Sequence, residues 1–427
     1  MLDINLIREN PERVKQALLK RMETVDFTDL LTWDKQRRQH VTEIGQLREK
    51  RNTVSAQIPQ MKKAGQDTAS VQQEMKEVSA RIKTLETILD EIEHNIRVTL
   101  ESLPNMPADD VLSGGKENNK VMRTWGTKPV FDFQPKDHVD RVTSLGLIDY
   151  ERGVKMGGSG FWLYVGMGAR LEWALLNYFV DQHVQDGYEF VLPPHILNYP
   201  CGYTAGQFPK FQDDVFLLKT NDDKVQFLLP TSETALINFY RDEILPEEIL
   251  PKKFFSYTPC YRKEAGSYRA QERGMIRGHQ FNKIEMFQFT RPENSDAALD
   301  ELINKAERLV QGLGLHHRVS KLAAQDVSAS MAKTYDIEVW IPSMNEYKEV
   351  SSVSNAHDYQ ARRGSIRFKR TESGKNEFVH TLNASGLATS RLIPAIVEQH
   401  QQANGSVVIP DVLRPFLGGK SVLEPKA

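Results

Sequence analysis

Between residues 71 and 100 the apolar positions run Val71, Met75, Val78, Ile82, Leu85, Leu89, Ile92 and Ile96, with spacings that alternate four and three. That is the seam of a coiled coil, and no Pro or Gly interrupts it. A rougher seam precedes it from about Asp29, through Leu30, Trp33, Ile44, Leu47, Val54, Ile58 and Met61. Arg37, His40 and Arg51 break this second pattern, and Pro59 is expected to end or kink the helix near Ile58. Residues 62–70, with Gly65, read as a polar turn between the two helices. Helices joined by so short a turn must pack antiparallel, as a hairpin roughly 45–50 Å long at about 1.5 Å per residue. Leu103-Pro104-Asn105-Met106-Pro107 stops the second helix, and a polar linker follows through about Lys120.

Beyond the linker the periods mix. Arg170 to His183 has a helical pattern, and Phe190-Val191-Leu192 is a short strand stopped by Pro193-Pro194. Phe227 to Leu229, Phe254 to Tyr257 and Lys283 to Phe289 read as strands, as do Ile337 to Ile341 and Tyr347 to Val350. Pro292 to Leu313 reads as an amphipathic helix. Strands in the middle with helices at the flanks predict an α+β fold built on an antiparallel sheet. The expected organisation is a helical hairpin arm over residues 1–103, a linker over 104–125 and a second domain over 126–427.

Length and composition agree: 427 residues, 40% of them hydrophobic, are enough for two or three domains with a real core. No apolar run reaches the ~18–20 residues that cross a bilayer, and Met1-Leu2-Asp3-Ile4-Asn5 lacks the apolar stretch of a signal peptide. Cys201 and Cys260 are the two cysteines, which leaves neither a disulfide framework nor a Cys-rich zinc site. A reducing cytoplasm is the expected compartment. The net charge is only −2, so any nucleic-acid footprint must be local. The charge is unevenly placed: residues 29–63 carry eight Lys or Arg against four Asp or Glu, whereas residues 71–101 carry four against seven. Arg37, Arg38, Arg48, Lys50, Arg51, Lys62 and Lys63 make the first helix basic, a face suited to a phosphate backbone. Complementary charge between the two helices would account for the same pattern.

Two segments carry the chemistry. The first holds Tyr261-Arg262-Lys263-Glu264-Ala265-Gly266, Arg273-Gly274-Met275-Ile276-Arg277 and His279-Gln280-Phe281-Asn282-Lys283-Ile284-Glu285. The second holds Asn383-Ala384-Ser385-Gly386-Leu387-Ala388 and ends at Arg391. They resemble motifs 2 and 3 of class II aminoacyl-tRNA synthetases. Further stretches, Glu349-Val350-Ser351-Ser352, Asp358 to Arg363 and Val408 to Pro415, narrow the resemblance to bacterial-type seryl-tRNA synthetase. Arg170-Leu171-Glu172 leading to Leu192-Pro193-Pro194 resembles motif 1. The three motifs then occupy about 170–194, 254–289 and 381–400.

The resemblance implies an arm that binds tRNA, a class II catalytic domain and a homodimer that forms largely through motif 1. It implies ATP and Mg²⁺ with no zinc, L-serine as the amino acid, serine tRNA as acceptor, and selenocysteine tRNA where the organism has one. Activation needs no protein nucleophile; it needs two anions positioned and their charge neutralised. Arg262 and Arg391 are the expected catalytic residues. Arg262 would bridge the carboxylate and the α-phosphate as a bidentate fork. Glu264, expected two residues on along a strand and on the same face, would accept from adenine. Phe281 would stack beneath the ring, Arg391 would hold the ring's other face or the γ-phosphate, Arg277 with Gly278 would serve the β/γ-phosphates, and Lys263, Val350 and Ser351 complete the expected ATP set. Arg273 is a further candidate for tRNA or phosphate. Glu349 and Ser352 would hold Mg²⁺ with ATP. Thr231, Ser232, Glu233, Glu285, Asn383, Ser385 and Arg262 would bind serine, with Glu233 on its ammonium and Glu285 reading its hydroxyl.

Taken singly, these residues have ordinary uses. Thr231-Ser232-Glu233 can cap a helix, and His279 is read as packing. Ala384 stands where the family usually has glycine, so its methyl is expected to crowd the serine pocket or change the backbone angle. Pro394 falls in the motif 3 helix, at a cost of about 3 kcal/mol if it lies deep inside. Two other activities fit the same motifs: a relative that hands its activated amino acid to a carrier protein, and an inactive RNA-binding scaffold. The long arm argues against the first, and the retained ATP residues argue against the second.

Overall fold

The computed structural model describes residues 1–221, 224–264 and 274–426. The chain divides into two units, Met1–Pro104 and Asn105–Ala427. In the first, helix α1 (Thr28–Lys63) and helix α2 (Ala69–Ser102) form the hairpin. The turn between them places Gly65 at φ +73°, a backbone angle that glycine adopts without strain. The seam buries Ile44 against Met75, Val78, Ile82 and Leu85, with Leu47, Val54 and Leu89 packed beside them. Each fully buried aliphatic side chain contributes about 1.5–3 kcal/mol. The cross-helix ion pairs Arg48–Glu86, Lys50–Glu74 and Arg81–Glu43 are half exposed and contribute about 0–1 kcal/mol each. The seam therefore holds the hairpin.

Pro59 does not stop helix α1, which runs on to Lys63 with the proline inside it. The side chain of Pro59 is exposed, and the half-buried Ile58 and Met61 on either side keep the helix on its apolar track. One lost hydrogen bond within a turn of the helix end is a small penalty against that packing.

The second unit is built on an eight-stranded sheet. Its strands are β1 (Lys120–Trp125), β2 (Glu189–Phe190), β3 (Lys252–Tyr261), β4 (Gln280–Thr290), β5 (His317–Lys321), β6 (Lys333–Ile341), β7 (Glu346–His357) and β8 (His380–Ala388), in the order β1-β5-β6-β7-β8-β4-β3-β2. Pairing is antiparallel except at the β2–β3 edge. Alternation along β4 sends Ile284 and Met286 to one face and Glu285 and Phe287 to the other. The first face packs on helices α3 (Met167–Gln185), α4 (Ser295–Gly312) and α5 (Thr389–Gln399) in one apolar core. On the other face Phe254, Phe287 and Phe289 join a smaller core with Phe368 and Leu236. The site occupies the remainder of that second face.

Residues 105–125, expected as a linker, are docked on the second unit. Asn105 donates its side-chain amide to the Ser330 and Ala356 carbonyls at 2.9 and 2.7 Å. Lys321 and Lys333 both pair with Asp110, at 2.5 and 3.0 Å. Residues 120–125 form the edge strand β1 on β5. All six of its residues are exposed, so the strand leaves no alternating pattern to read in the sequence. Pro394 is the sixth of eleven residues in α5, beyond the first turn. Burial of Leu392, Ile393, Ala395, Ile396 and Val397 to 1% exposure or less offsets its cost of about 3 kcal/mol.

Candidate active site

Strand β3 ends at Tyr261, so Arg262 and Glu264 do not share a strand face, and Glu264 sits at φ +50°. They reach the same place by other means. The Arg262 backbone exchanges contacts with His279: its N–H donates to the His279 carbonyl at 2.9 Å, and its carbonyl lies 3.0 Å from His279 Nδ1. His279 thus holds the backbone of Arg262. Lys263 N donates to Asp214 O at 3.1 Å. Arg262 Nε donates to the Pro230 carbonyl at 3.2 Å, and its guanidinium lies 5.3 Å from the centre of the Phe281 ring. Glu264 forms an ion pair with Arg277. Next to Arg277, a Cβ on Gly278 would lie 2.1 Å from the Trp162 ring and 2.9 Å from Gly160 O, so only glycine fits there.

Arg391, in the first turn of α5, donates Nε to Ile276 O at 3.0 Å and Nη1 to Glu349 O at 2.8 Å. Glu349 and Ser352 are three residues apart, which would put them on opposite faces of a regular strand. A register shift corrects this: Glu349 lies opposite Glu338, Ser351 opposite Ile337 and Ser352 opposite Asp336, with Val350 as the extra residue. Glu349, Ser352, Asp336 and Glu338 consequently share a face. Ser351 points the other way, fully buried, its hydroxyl donating to the Ser385 carbonyl at 2.6 Å. The cavity between these elements is about 80 Å³ and is lined by Arg262, Glu264, Arg277, Gly278, Phe281, Lys283, Glu349, Val350, Ser385 and Arg391. Of the expected ATP residues, Lys263, Ser351 and Ser352 lie outside that lining.

The residues expected to bind serine converge. Glu285 is fully buried; its Oε1 accepts from Asn383 Nδ2 at 2.9 Å, and Thr231 Oγ1 lies 3.4 Å from its Oε2. Lys283 places Nζ 2.5 Å from Glu285 Oε2 and 2.6 Å from Thr231 Oγ1. The sequence reading passed over Lys283. Its signal was the period of two along β4, which puts a lysine on the same face as Glu285. Glu233 accepts from Gln360 Nε2 at 2.7 Å; burial, then the nearby Glu285 carboxylate, push its carboxyl up to about 7. Ser232 precedes the short helix Glu233–Leu236, but its hydroxyl makes no cap and is buried without a hydrogen-bond partner among the described residues.

Ala384 pairs with Met286 and Val353 and points with them into the main core, while Asn383 and Ser385 on either side face the site. Its methyl thus points away from the residues expected to bind serine, and its backbone is not in the left-handed region. Behind the site, buried groups tie the three motifs together. Glu172 of α3 accepts from Asn282 Nδ2 at 2.7 Å and from Thr389 Oγ1 at 2.6 Å. Desolvation lifts its carboxyl to about 7. His183 of α3 donates Nε2–H to the Gly386 carbonyl at 2.8 Å, and burial lowers its pKa to about 4.

Most of the basic candidates on the arm are already engaged there. Arg37 and Arg38 pair with the buried Asp34, as does Arg8. Burial opposes the charge of Asp34, yet hydrogen bonds from Arg8 and Arg37 outweigh it and hold the carboxyl below its usual range. Arg48 and Lys50 pair across the hairpin. Arg51, Lys62 and Lys63 make no ion pair among the described residues. Ala265, Gly266 and Arg273 lie outside the described residues.

Residues 216–400 match the family model described as the tRNA synthetase class II core domain (G, H, P, S and T), and residues 1–107 match the seryl-tRNA synthetase N-terminal domain. The chain is 63% identical over 421 residues to "Serine--tRNA ligase 2" of Clostridium acetobutylicum, covering 98% of this chain and 99% of that protein. Among solved structures it resembles the seryl-tRNA synthetase of Pyrococcus horikoshii complexed with ATP, at TM-score 0.93 and 35% identity over 100% of both chains. It also resembles the cytoplasmic serine-tRNA ligase of Naegleria fowleri in complex with AMP, at TM-score 0.89 and 29% identity, over 100% of this chain and 99% of that one. A core and an N-terminal domain that both match, with near-complete coverage at 63% identity, mean that this chain belongs to the seryl-tRNA synthetase family of class II aminoacyl-tRNA synthetases.

Proposed function

We propose that this chain is a serine–tRNA ligase, which joins L-serine to ATP and passes the activated serine to serine tRNA. The observation that carries this reading is the buried Glu285, held by Lys283, Thr231 and Asn383 beside Arg262. In the first step the serine carboxylate oxygen attacks the α-phosphorus. An oxygen–phosphorus bond forms, the α–β bridge breaks, and pyrophosphate leaves with the electron pair. Arg262 neutralises the carboxylate and α-phosphate as they meet. Phe281 and Glu264 clamp adenine, and Arg277 and Arg391 take the outer phosphates. Glu264 and Arg277 pair with each other, so ATP takes over a contact that each already makes.

Glu285 accepts from the serine hydroxyl; with alanine that acceptor would be left unpaired, and such sites discriminate by about 10⁴ or more. Glu233 faces the ammonium. Threonine is rejected by crowding of its extra methyl. In the second step a terminal ribose hydroxyl of tRNA attacks the acyl carbon, the bond to AMP breaks, and the hydroxyl proton leaves with the departing phosphate or to water.

The oxygen set of Glu349, Ser352 and the buried Asp336 Oδ1, which has no hydrogen-bond partner among the described residues, suits Mg²⁺. Glu349 and Ser352 would hold the ion, which when bound screens the triphosphate charge. Trp173, Val184, Phe190, Leu192 and Ile196 are large apolar residues, 42–70% exposed, in and beside motif 1, which supports a homodimer through that surface. Arg51, Lys62 and Lys63 are the arm cations best placed to meet a phosphate backbone. The free thiols Cys201 and Cys260 accord with the cytoplasm as the compartment.

The test is amino-acid-dependent ATP–pyrophosphate exchange with each of the twenty amino acids, followed by charging of total tRNA. Exchange with serine alone, and serine entering tRNA, is expected. Exchange without charging would point instead to a carrier ligase. Arg262→Ala should abolish exchange in a folded protein, and near-normal exchange would refute its role.

A further inference from the structure

Strand β3 ends at Tyr261, whose partner on β4 is Gln280, so Arg262 and His279 stand one step beyond the ladder. In a continued antiparallel ladder such a pair exchanges both of its backbone hydrogen bonds or neither. Here only half of the exchange is made. The Arg262 N–H donates to the His279 carbonyl at 2.9 Å, but the His279 N–H turns away to the Gly160 carbonyl at 3.0 Å. The Arg262 carbonyl, deprived of its ladder donor, is met instead by His279 Nδ1 at 3.0 Å. A carbonyl can only accept, so Nδ1 carries the proton. The ring is held for this contact. Phe161 and Phe216 pack on it, with ring centroids 5.4 and 6.1 Å away. Gly160 closes its edge: at φ +82°, and with a Cβ that would lie 2.6 Å from His279 Cδ2, that position takes only glycine. Packing alone would need a ring of this size but no nitrogen.

We propose that His279 is a positioning residue for serine activation: its Nδ1–H stands in for the missing ladder donor, fixes the Arg262 carbonyl, and so sets the direction in which the Arg262 guanidinium is presented. The inference rests on the ligase reading and deepens it. His279 lines neither of the two cavities that border Arg262, so its effect on the reaction passes through that residue. Arg262 has few other restraints. Its Nε donates to the Pro230 carbonyl at 3.2 Å, and it makes no ion pair among the described residues. The guanidinium has to meet a carboxylate and a phosphate at once, and a misplacement of about 1 Å in such a group costs up to about a hundredfold in rate.

The experiment crosses ring against donor in the full-length enzyme. His279→Phe keeps the ring and removes the donor; His279→Asn gives up the ring but offers an amide N–H where Nδ1 stands. Serine-dependent ATP–pyrophosphate exchange yields kcat and the KM values for serine and ATP, with urea unfolding as the check on folding. His279→Phe should lose about tenfold to a hundredfold in kcat, with both KM values within about threefold of the parent. His279→Asn should keep kcat within about threefold. Parental kcat in His279→Phe, a loss of about tenfold or more in His279→Asn, or a loss confined to KM would overturn the proposal, the first two because the ring would then serve packing alone. If His279→Phe does not fold, His279→Leu takes its place, since leucine has nearly the shape of asparagine without the donor, and the same outcomes decide. Absence of serine-dependent exchange in the parent would refute the ligase reading itself, and this proposal with it.

Discussion

Lys283 offers the sharpest test of the proposed serine pocket. Its Nζ lies 2.5 Å from Glu285 Oε2 and 2.6 Å from Thr231 Oγ1, with the side chains of Lys283 and Glu285 exposed by 7% and 0%. Lys283→Met removes the positive charge but leaves the Glu285 carboxylate in place, supported by Asn383 and Thr231 alone. Breaking a buried pair by removing one partner costs about 3–5 kcal/mol, because the remaining charge is uncompensated. Glu285→Gln should cost a similar amount, as it strands the ammonium. Lys283→Met combined with Glu285→Gln strands neither charge and should cost about 2–3 kcal/mol less than the sum of the single changes. Urea unfolding followed by tryptophan fluorescence reads the effect, since Trp125, Trp162, Trp173 and Trp340 all belong to the catalytic unit. In exchange assays Lys283→Met should raise the KM for serine far more than the KM for ATP, and should narrow the preference for serine over alanine. Additive losses in the double variant, or a loss below about 1 kcal/mol in Lys283→Met, would refute the argument that this pair is a buried ionic contact.

Other outcomes follow from the same structure. Glu172, with its carboxyl lifted to about 7 from 4.5, holds a proton in the folded chain that the unfolded chain releases between those values. Stability therefore falls as pH rises through that window, by about 3 kcal/mol in all. Glu172→Gln should match the parent below pH 4.5 and exceed it above pH 7 in urea titrations; parallel curves at all pH values would contradict this. Deleting residues 35–91 should abolish tRNA charging while exchange persists, and equal loss of both would end the idea of a separate tRNA-binding arm. Trp173→Asp with Leu192→Asp should yield monomers in sedimentation at concentrations where the parent is dimeric; an unchanged mass would mean that motif 1 is not the interface.

Much of the chain was legible because local periodicity survives folding. The unbroken four–three seam of residues 71–100 needs only its partner helix, and the structure buries Met75, Val78, Ile82 and Leu85 along it. Helix α4 was visible for the same reason, since it cycles against one apolar core, and strands β3 and β4 were visible because apolar residues on both of their faces pack into cores. Strand β1 was not, because an edge strand exposed on both faces has no pattern to show.

The residue types of the site were also set by the sequence, since binding two anions requires arginines and reading a hydroxyl requires a fixed acceptor. Their arrangement was decided by contacts remote in sequence. Glu349 and Ser352 share a face only because Val350 is an extra residue opposite β6. Arg262 and Glu264 meet the same cavities although the strand has ended, because His279 pins the backbone of Arg262 and Arg277 draws in Glu264. The methyl of Ala384 turns away from Glu285 and Asn383 because strand alternation aims it into the core. Lys283 acquires its significance from a buried neighbour, Glu285, whose burial no local pattern reveals. Periodicity is a property of the chain, whereas burial and register belong to the assembled sheet. The sequence could therefore name the chemistry, while the fold decided which side chains carry it out.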